Sequence, residues 1–151
     1  MIGLVLVCHG KIAEGLMDAM HMITGEHEAI RGIGLHETEG VEDLMSKIQN
    51  AIEDVDSGEG VLIMVDLFGA STFNASARLI LSSPGKALEV VTGLNLPMLV
   101  ELVTQREGHT ATLLPDGTVL MSGGWVCCGA TIATAEIYRP AVLVPSPALF
   151  S

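Results

Sequence analysis

The chain alternates short aliphatic runs with stretches in which apolar residues recur every three or four positions. Residues 2–7 form one unbroken aliphatic run and residues 61–65 another. Runs of that kind predict strands covered on both faces. Residues 87–91 read as a further strand, and residues 29–35 as a weaker one. Between these runs the period changes. Over residues 11–24, Ile12, Leu16, Ala19, Met20 and Ile23 share one stripe, and Gly25 is placed to end the helix. From residue 40, Val41, Leu44, Met45, Ile48 and Ile52 repeat at helical steps, with Glu42, Asp43, Glu53 and Asp54 on the wet side. Residues 72–81 and 96–106 complete the set, the second carrying Pro97 in its first turn, where proline is tolerated. This rhythm predicts an α/β fold, an open and mainly parallel sheet with helices on both faces and right-handed crossovers.

After Gly108 the grammar changes. Residues 109–114, the turn Pro115-Asp116-Gly117 and residues 118–122 predict a β-hairpin, and residues 133–138 a third strand. Pro140, Pro145 and Pro147 exclude a regular central strand or helix at the end. The break at residues 107–109 divides an α/β domain, 1–107, from an atypical β-rich tail, 108–151, that is not a domain of its own.

Composition narrows the picture. Apolar residues make up 49% of 151 positions but aromatics only 3%, so aliphatics and eight methionines must fill the core. A formal charge of −11 disfavours nucleic acid as a partner and favours a basic protein. No basic segment precedes residues 2–7, and that run is far shorter than a membrane span, which predicts a cytoplasmic protein. Cys8, Cys127 and Cys128 make no disulfide framework, and Cys127-Cys128 are too close for an ordinary bridge. With no CxxC or HxxxH spacing, no metal site and no cofactor are expected.

The candidate chemistry lies at strand ends. His9 and Asp66 follow the two most aliphatic runs, so both project from one edge of the sheet. If those strands are neighbours where the sheet order reverses, the two side chains meet in the crevice that open α/β sheets use for ligands. A carboxylate on one ring nitrogen fixes the tautomer and frees the other nitrogen to attack phosphorus. Gly10 and Lys11 at a helix start, with the turn Gly69-Ala70-Ser71, supply N–H groups for a phosphate cradle. The same spacings also suit a histidine that merely caps a strand and an aspartate that caps a helix. His21, His27 and His36 suit surface or cap roles, although His36 would line the crevice if the second strand ends there.

Four segments carry a resemblance. Val7-Cys8-His9-Gly10-Lys11-Ile12-Ala13-Glu14-Gly15-Leu16, Gly40-Val41-Glu42-Asp43-Leu44, Asp66-Leu67-Phe68-Gly69-Ala70-Ser71-Thr72-Phe73-Asn74 and Thr92-Gly93-Leu94-Asn95-Leu96-Pro97-Met98-Leu99 occur in order. Together they resemble the mannose-family enzyme IIA of the bacterial sugar phosphotransferase system, over residues 1 to about 107. The resemblance implies strand order 2-1-3-4, a phosphoryl group accepted on His9 from phospho-HPr and passed to a IIB component, and Asp66 holding the imidazole. Membrane IIC and IID components would then be indirect partners. Two further readings of the same fold stand beside this one, a regulatory or decoy binding module and the phosphotransferase subunit of a dihydroxyacetone kinase. The family has a second glycine and then Ser-Pro where this chain has Ala70, Ser71 and Thr72.

Downstream, the family continues with a helix and a terminal strand exchanged within a homodimer. Here residues 108–140 instead resemble a single kelch-type repeat, through Gly117-Thr118-Val119-Leu120, Gly123-Gly124-Trp125 and Ala135-Glu136-Ile137-Tyr138. One such blade buries neither of its faces alone, and no second copy is present, so a propeller is excluded. The family's dimer is in doubt for this chain.

Overall fold

The computed structural model describes residues 1–106, the helical backbone at 107–108, and strand backbones at 110–113, 119–122, 125–126, 130–131 and 135–138. The first eight elements alternate strictly. They are β1 (Gly3–His9), α1 (Ile12–Thr24), β2 (Ile30–Leu35), α2 (Val41–Val55), β3 (Val61–Val65), α3 (Ser71–Ser82), β4 (Leu88–Thr92) and α4 (Leu96–Gly108). The strands form a parallel sheet in the order β2-β1-β3-β4. Both β1 and β3 are therefore central, as their two-sided aliphatic character demands. Val5 and Val7 face α2 and α3, while Leu4, Leu6 and Cys8 face α1 and α4. All of these but Leu4 are wholly excluded from solvent, and each large aliphatic side chain so buried contributes roughly 1.5–3 kcal/mol.

Two details differ from the reading of the sequence. His9 is the last residue of β1 rather than the first after it. Pairing with β3 stops at Val7, opposite Val65, but β2 continues alongside to pair Leu35 with His9. The second difference concerns α1. Its buried line is Ala13 and Met20 with Met17 partly covered, whereas Ile12 and Ile23 face solvent. The helix is turned by about one residue, roughly 100°, from the stripe that its apolar positions predict. Gly32 in β2 gives the reason. A Cβ there would stand 2.6 Å from Met17 Sδ and 3.4 Å from Ala13 Cβ. The bare glycine lets these two side chains settle onto the sheet, and the bulkier isoleucines turn outward.

The tail forms β5 (Thr110–Leu113), β6 (Val119–Ser122) and β9 (Ala135–Tyr138), an antiparallel sheet in the order β5-β6-β9, and a pair of short strands, β7 (Trp125–Val126) and β8 (Ala130–Thr131). The turn Pro115-Asp116-Gly117, Cys127 and Cys128, and the stretch with Pro140, Pro145 and Pro147 lie outside the described residues.

Candidate functional site

The order in which strands are added reverses between β1 and β3, since α1 carries the chain to one side of β1 and α2 returns it to the other. A crevice opens at the carboxyl ends of strands at such a point. His9 ends β1, and Asp66 is the first residue past β3. The Oδ2 atom of Asp66 accepts the backbone N–H of His9 at 2.8 Å and lies 2.8 Å from His9 Nδ1. Its other oxygen, Oδ1, accepts the Leu67 N–H at 2.9 Å and the Thr72 hydroxyl at 3.1 Å.

Three of those contacts set the charge of Asp66. Burial alone raises the Asp66 pKa, but the backbone N–H and ring of His9 and the Thr72 hydroxyl outweigh it and hold the carboxyl below its ordinary value. Asp66 is thus an ionised acceptor, and the ring nitrogen it touches carries the proton. In the neutral imidazole this tautomer puts the lone pair on His9 Nε2, in a ring 42% exposed. Beneath it, Cys8 is fully buried, and burial followed by the nearby Asp66 charge pushes its thiol up to about 12. A thiol so placed is inert at neutral pH.

An open crevice of about 500 Å³ lies beside the imidazole, lined by His9, Gly10, Leu35, His36, Glu37 and Glu39. β2 ends at Leu35, which leaves His36 on the crevice wall. Glu39 braces that turn, accepting the His36 N–H at 3.1 Å and pairing with Lys47.

The other sequence candidates fall around the two central residues. Gly10 adopts φ +55°, a left-handed turn that suits glycine, and its own N–H is engaged by the Leu35 carbonyl at 2.8 Å. Lys11 is exposed and stands at the N-cap of α1 without a side-chain hydrogen bond, so its own side chain does not cap the N–H groups of the first helical turn. In the second turn, Gly69 takes the left-handed conformation at φ +75° and Ala70 sits at φ −79° as the N-cap of α3. Alanine at position 70 therefore introduces no backbone strain. Ser71 is exposed at the start of α3.

Thr72 is the site residue that sequence reasoning missed. It is fully buried in the first turn of α3, and its hydroxyl fixes the outer oxygen of Asp66. The available signal was a hydroxyl residue six positions past a strand-end acid, on the opening turn of the next helix.

Comparison with known proteins points one way. The family model described as PTS system fructose IIA component matches residues 3–116. The mannose-specific EIIAB component of Escherichia coli K12 is 36% identical over 106 residues, 70% of this chain and 32% of that protein. The chain thus spans about a third of the length of that relative. The fructose-specific EIIA component of Bacillus subtilis is 31% identical over 107 residues, 71% of this chain and 72% of the relative. Among solved structures, the phosphotransferase system component EIIA from Streptococcus agalactiae superposes with a TM-score of 0.65 at 30% identity, covering 71% of this chain and 80% of that one.

Proposed function

The chain belongs to the PTS system fructose IIA component family, and from that premise we propose that it is a phosphocarrier whose acceptor atom is His9 Nε2. The observation that carries the reading is the Asp66 Oδ2 contact to His9 Nδ1 at 2.8 Å, which selects the tautomer of the neutral imidazole with its lone pair on Nε2, in a half-exposed ring. The lone pair of Nε2 attacks the phosphorus held on phospho-HPr. The new N–P bond forms as the donor's N–P bond breaks, and that electron pair returns to the donor imidazole. The His9 ring keeps its Nδ1 proton and becomes cationic, and the Asp66 carboxylate, already in place, compensates that charge without reorganising. The N–H groups that open α1, with those of Gly69, Ala70 and Ser71, face the incoming oxygens as a cradle. Transfer to a IIB component is the same step in reverse.

Incubation with phosphoenolpyruvate, enzyme I and HPr tests this. One phosphoryl group should be added, labile to acid and stable to alkali, and His9→Ala should carry none. Equal labelling of wild type and His9→Ala would refute the assignment.

A further inference from the structure

The crevice beside His9 holds a second imidazole that the phosphocarrier step leaves unused. β2 runs on past the pairing of β1 with β3, and the residue that follows it is His36. Strand alternation puts His36 on the side of Gly34. A Cβ added at Gly34 would collide with the Gly10 carbonyl oxygen and lie 3.5 Å from His36 Nε2. The ring therefore folds over the bare glycine, against the turn that follows His9. Its backbone is fixed there. The His36 N–H donates to Glu39 at 3.1 Å, and its carbonyl accepts the Glu39 N–H at 3.0 Å. The ring nitrogens, by contrast, bond to no described residue, and the side chain is open to the crevice.

Charge gives that placement a use. Of the six residues lining the crevice, Glu37 and Glu39 bring negative charge, and besides His9 only His36 can bring positive charge. The surrounding groups are committed or stand apart. Glu39 pairs with Lys47 of α2, Asp43 of α2 accepts the Gly40 N–H at 3.3 Å, and Asp66 is held by His9. Glu14 and Lys11 are exposed at the start of α1, outside the crevice lining. A phosphoryl group on His9 adds negative charge to this acidic rim.

We propose that His36, as an imidazolium, binds the phosphoryl oxygens at His9 through a ring N–H and so speeds acceptance of the group. This inference rests on the phosphocarrier reading and deepens it. The N–P bond still forms at His9 Nε2, while His36 makes no covalent bond and keeps its proton throughout. Phosphoryl transfer gains from charge compensation at the oxygens, and a charge-assisted N–H···O bond supplies it. Histidine changes charge between about pH 5 and 8, so the help is present at the acid end of that range and lost at the alkaline end.

The test follows labelling of the full chain by phosphoramidate, a small phosphoryl donor that presents no protein surface. Wild type, His36→Gln and His36→Lys are compared at pH 6 and pH 8.5, and the ratios between them cancel the ionisation of the donor and of His9. At pH 6, His36→Gln should label roughly tenfold more slowly than wild type. At pH 8.5 the two should label at about the same rate. His36→Lys keeps a positive charge at both pH values, so it should match wild type at pH 6 and exceed it at pH 8.5. A ratio of His36→Gln to wild type that is the same at both pH values overturns the proposal, since a ring acting by shape alone would give it. So does His36→Lys slowed as much as His36→Gln at pH 6. Failure of the wild type to label at either pH would overturn the phosphocarrier reading itself, and this inference with it.

Discussion

Glu89 sits in the middle of β4, opposite Leu62, on the face that packs against α1 and α4. It is 4% exposed, and its Oε2 has no hydrogen-bond partner among the described residues. Burial pushes its pKa up from 4.5 to about 7. The sign of the consequence is fixed. The unfolded chain releases this proton near pH 4.5, while the folded one holds it until about 7. Between those values the native state binds more protons, so stability falls as pH rises and levels off above 7. The full loss is about 3 kcal/mol, a large share of what a domain of this size has to spare. Glu89→Gln replaces the ionisable carboxyl with an amide that cannot charge. At pH 5, where the wild-type carboxyl is neutral, the variant should match wild type closely. At pH 8 it should be the more stable by up to about 3 kcal/mol, which at a slope of about 1–3 kcal/mol/M moves a urea midpoint by about 1 M or more. Far-UV circular dichroism at both pH values reads this directly, and the difference between variants cancels the titration of the histidines. A stability gap of equal size at pH 5 and pH 8 would refute the reasoning.

Arg106 closes α4 against the start of the sheet. Its guanidinium donates to the carbonyls of Ile2 at 3.1 Å and Ala29 at 2.9 Å, and to that of Glu28. Arg106→Met should take the charged donor from all three carbonyls, of which that of Ala29 keeps the Leu4 N–H, and cost about 1–3 kcal/mol in urea denaturation; a loss under about 0.5 kcal/mol, no more than a neutral substitution gives, would show that the three bonds do not hold the strand starts. Cys8, buried with its thiol at about 12, should resist alkylation at pH 8 in the folded protein and react only in denaturant. Peptide mapping by mass spectrometry resolves it from Cys127 and Cys128, and rapid labelling of native Cys8 would contradict its burial.

The sheet was legible because β1 and β3 are the least ambiguous kind of strand, aliphatic on both faces. That character predicted burial on both faces, the family resemblance implied the order 2-1-3-4 that sets the two strands side by side, and adjacency put His9 within reach of Asp66. What stayed hidden depended on a partner far away in sequence. The facing of α1 is set by Gly32, whose missing side chain admits Met17, and no periodicity within α1 records it. Glu89 is buried because β4 is packed on both faces, which a single carboxylate in an aliphatic run argues against. Arg106 reads as an ordinary basic residue in a last helical turn until β1 and β2 supply three carbonyls. Thr72 read as a substitution for a proline favourable to the helix start, and its use emerged only from the position of Asp66 Oδ1.

The geometry of Asp66 makes the effect of removing its charge depend on Thr72. All four groups that face the carboxylate donate, two to each oxygen. Asp66→Asn keeps one accepting oxygen, which can stay with His9, but turns an NH₂ toward Leu67 N–H and Thr72. A backbone N–H cannot accept, so the Leu67 bond is lost. A hydroxyl can rotate and accept from the amide, so Thr72 tolerates the change. Asp66→Asn should therefore cost only about 0.5–1.5 kcal/mol, because the exposed Leu67 N–H can turn to water, leave the domain folded, and slow labelling of His9 by loss of the compensating charge. Thr72→Val alone removes one donor and should slow labelling by less, roughly three- to tenfold for about 1 kcal/mol. Together the two changes leave the amide facing nothing that accepts, and the double variant should be more destabilised than the sum of the singles by about 1 kcal/mol. Urea denaturation of the four proteins closes the cycle. Strict additivity would mean that the Thr72 hydroxyl contributes as much to the Asp66→Asn variant as to wild type, so that it offers the amide no special rescue, while the single Thr72→Val change reads what its bond to Asp66 contributes.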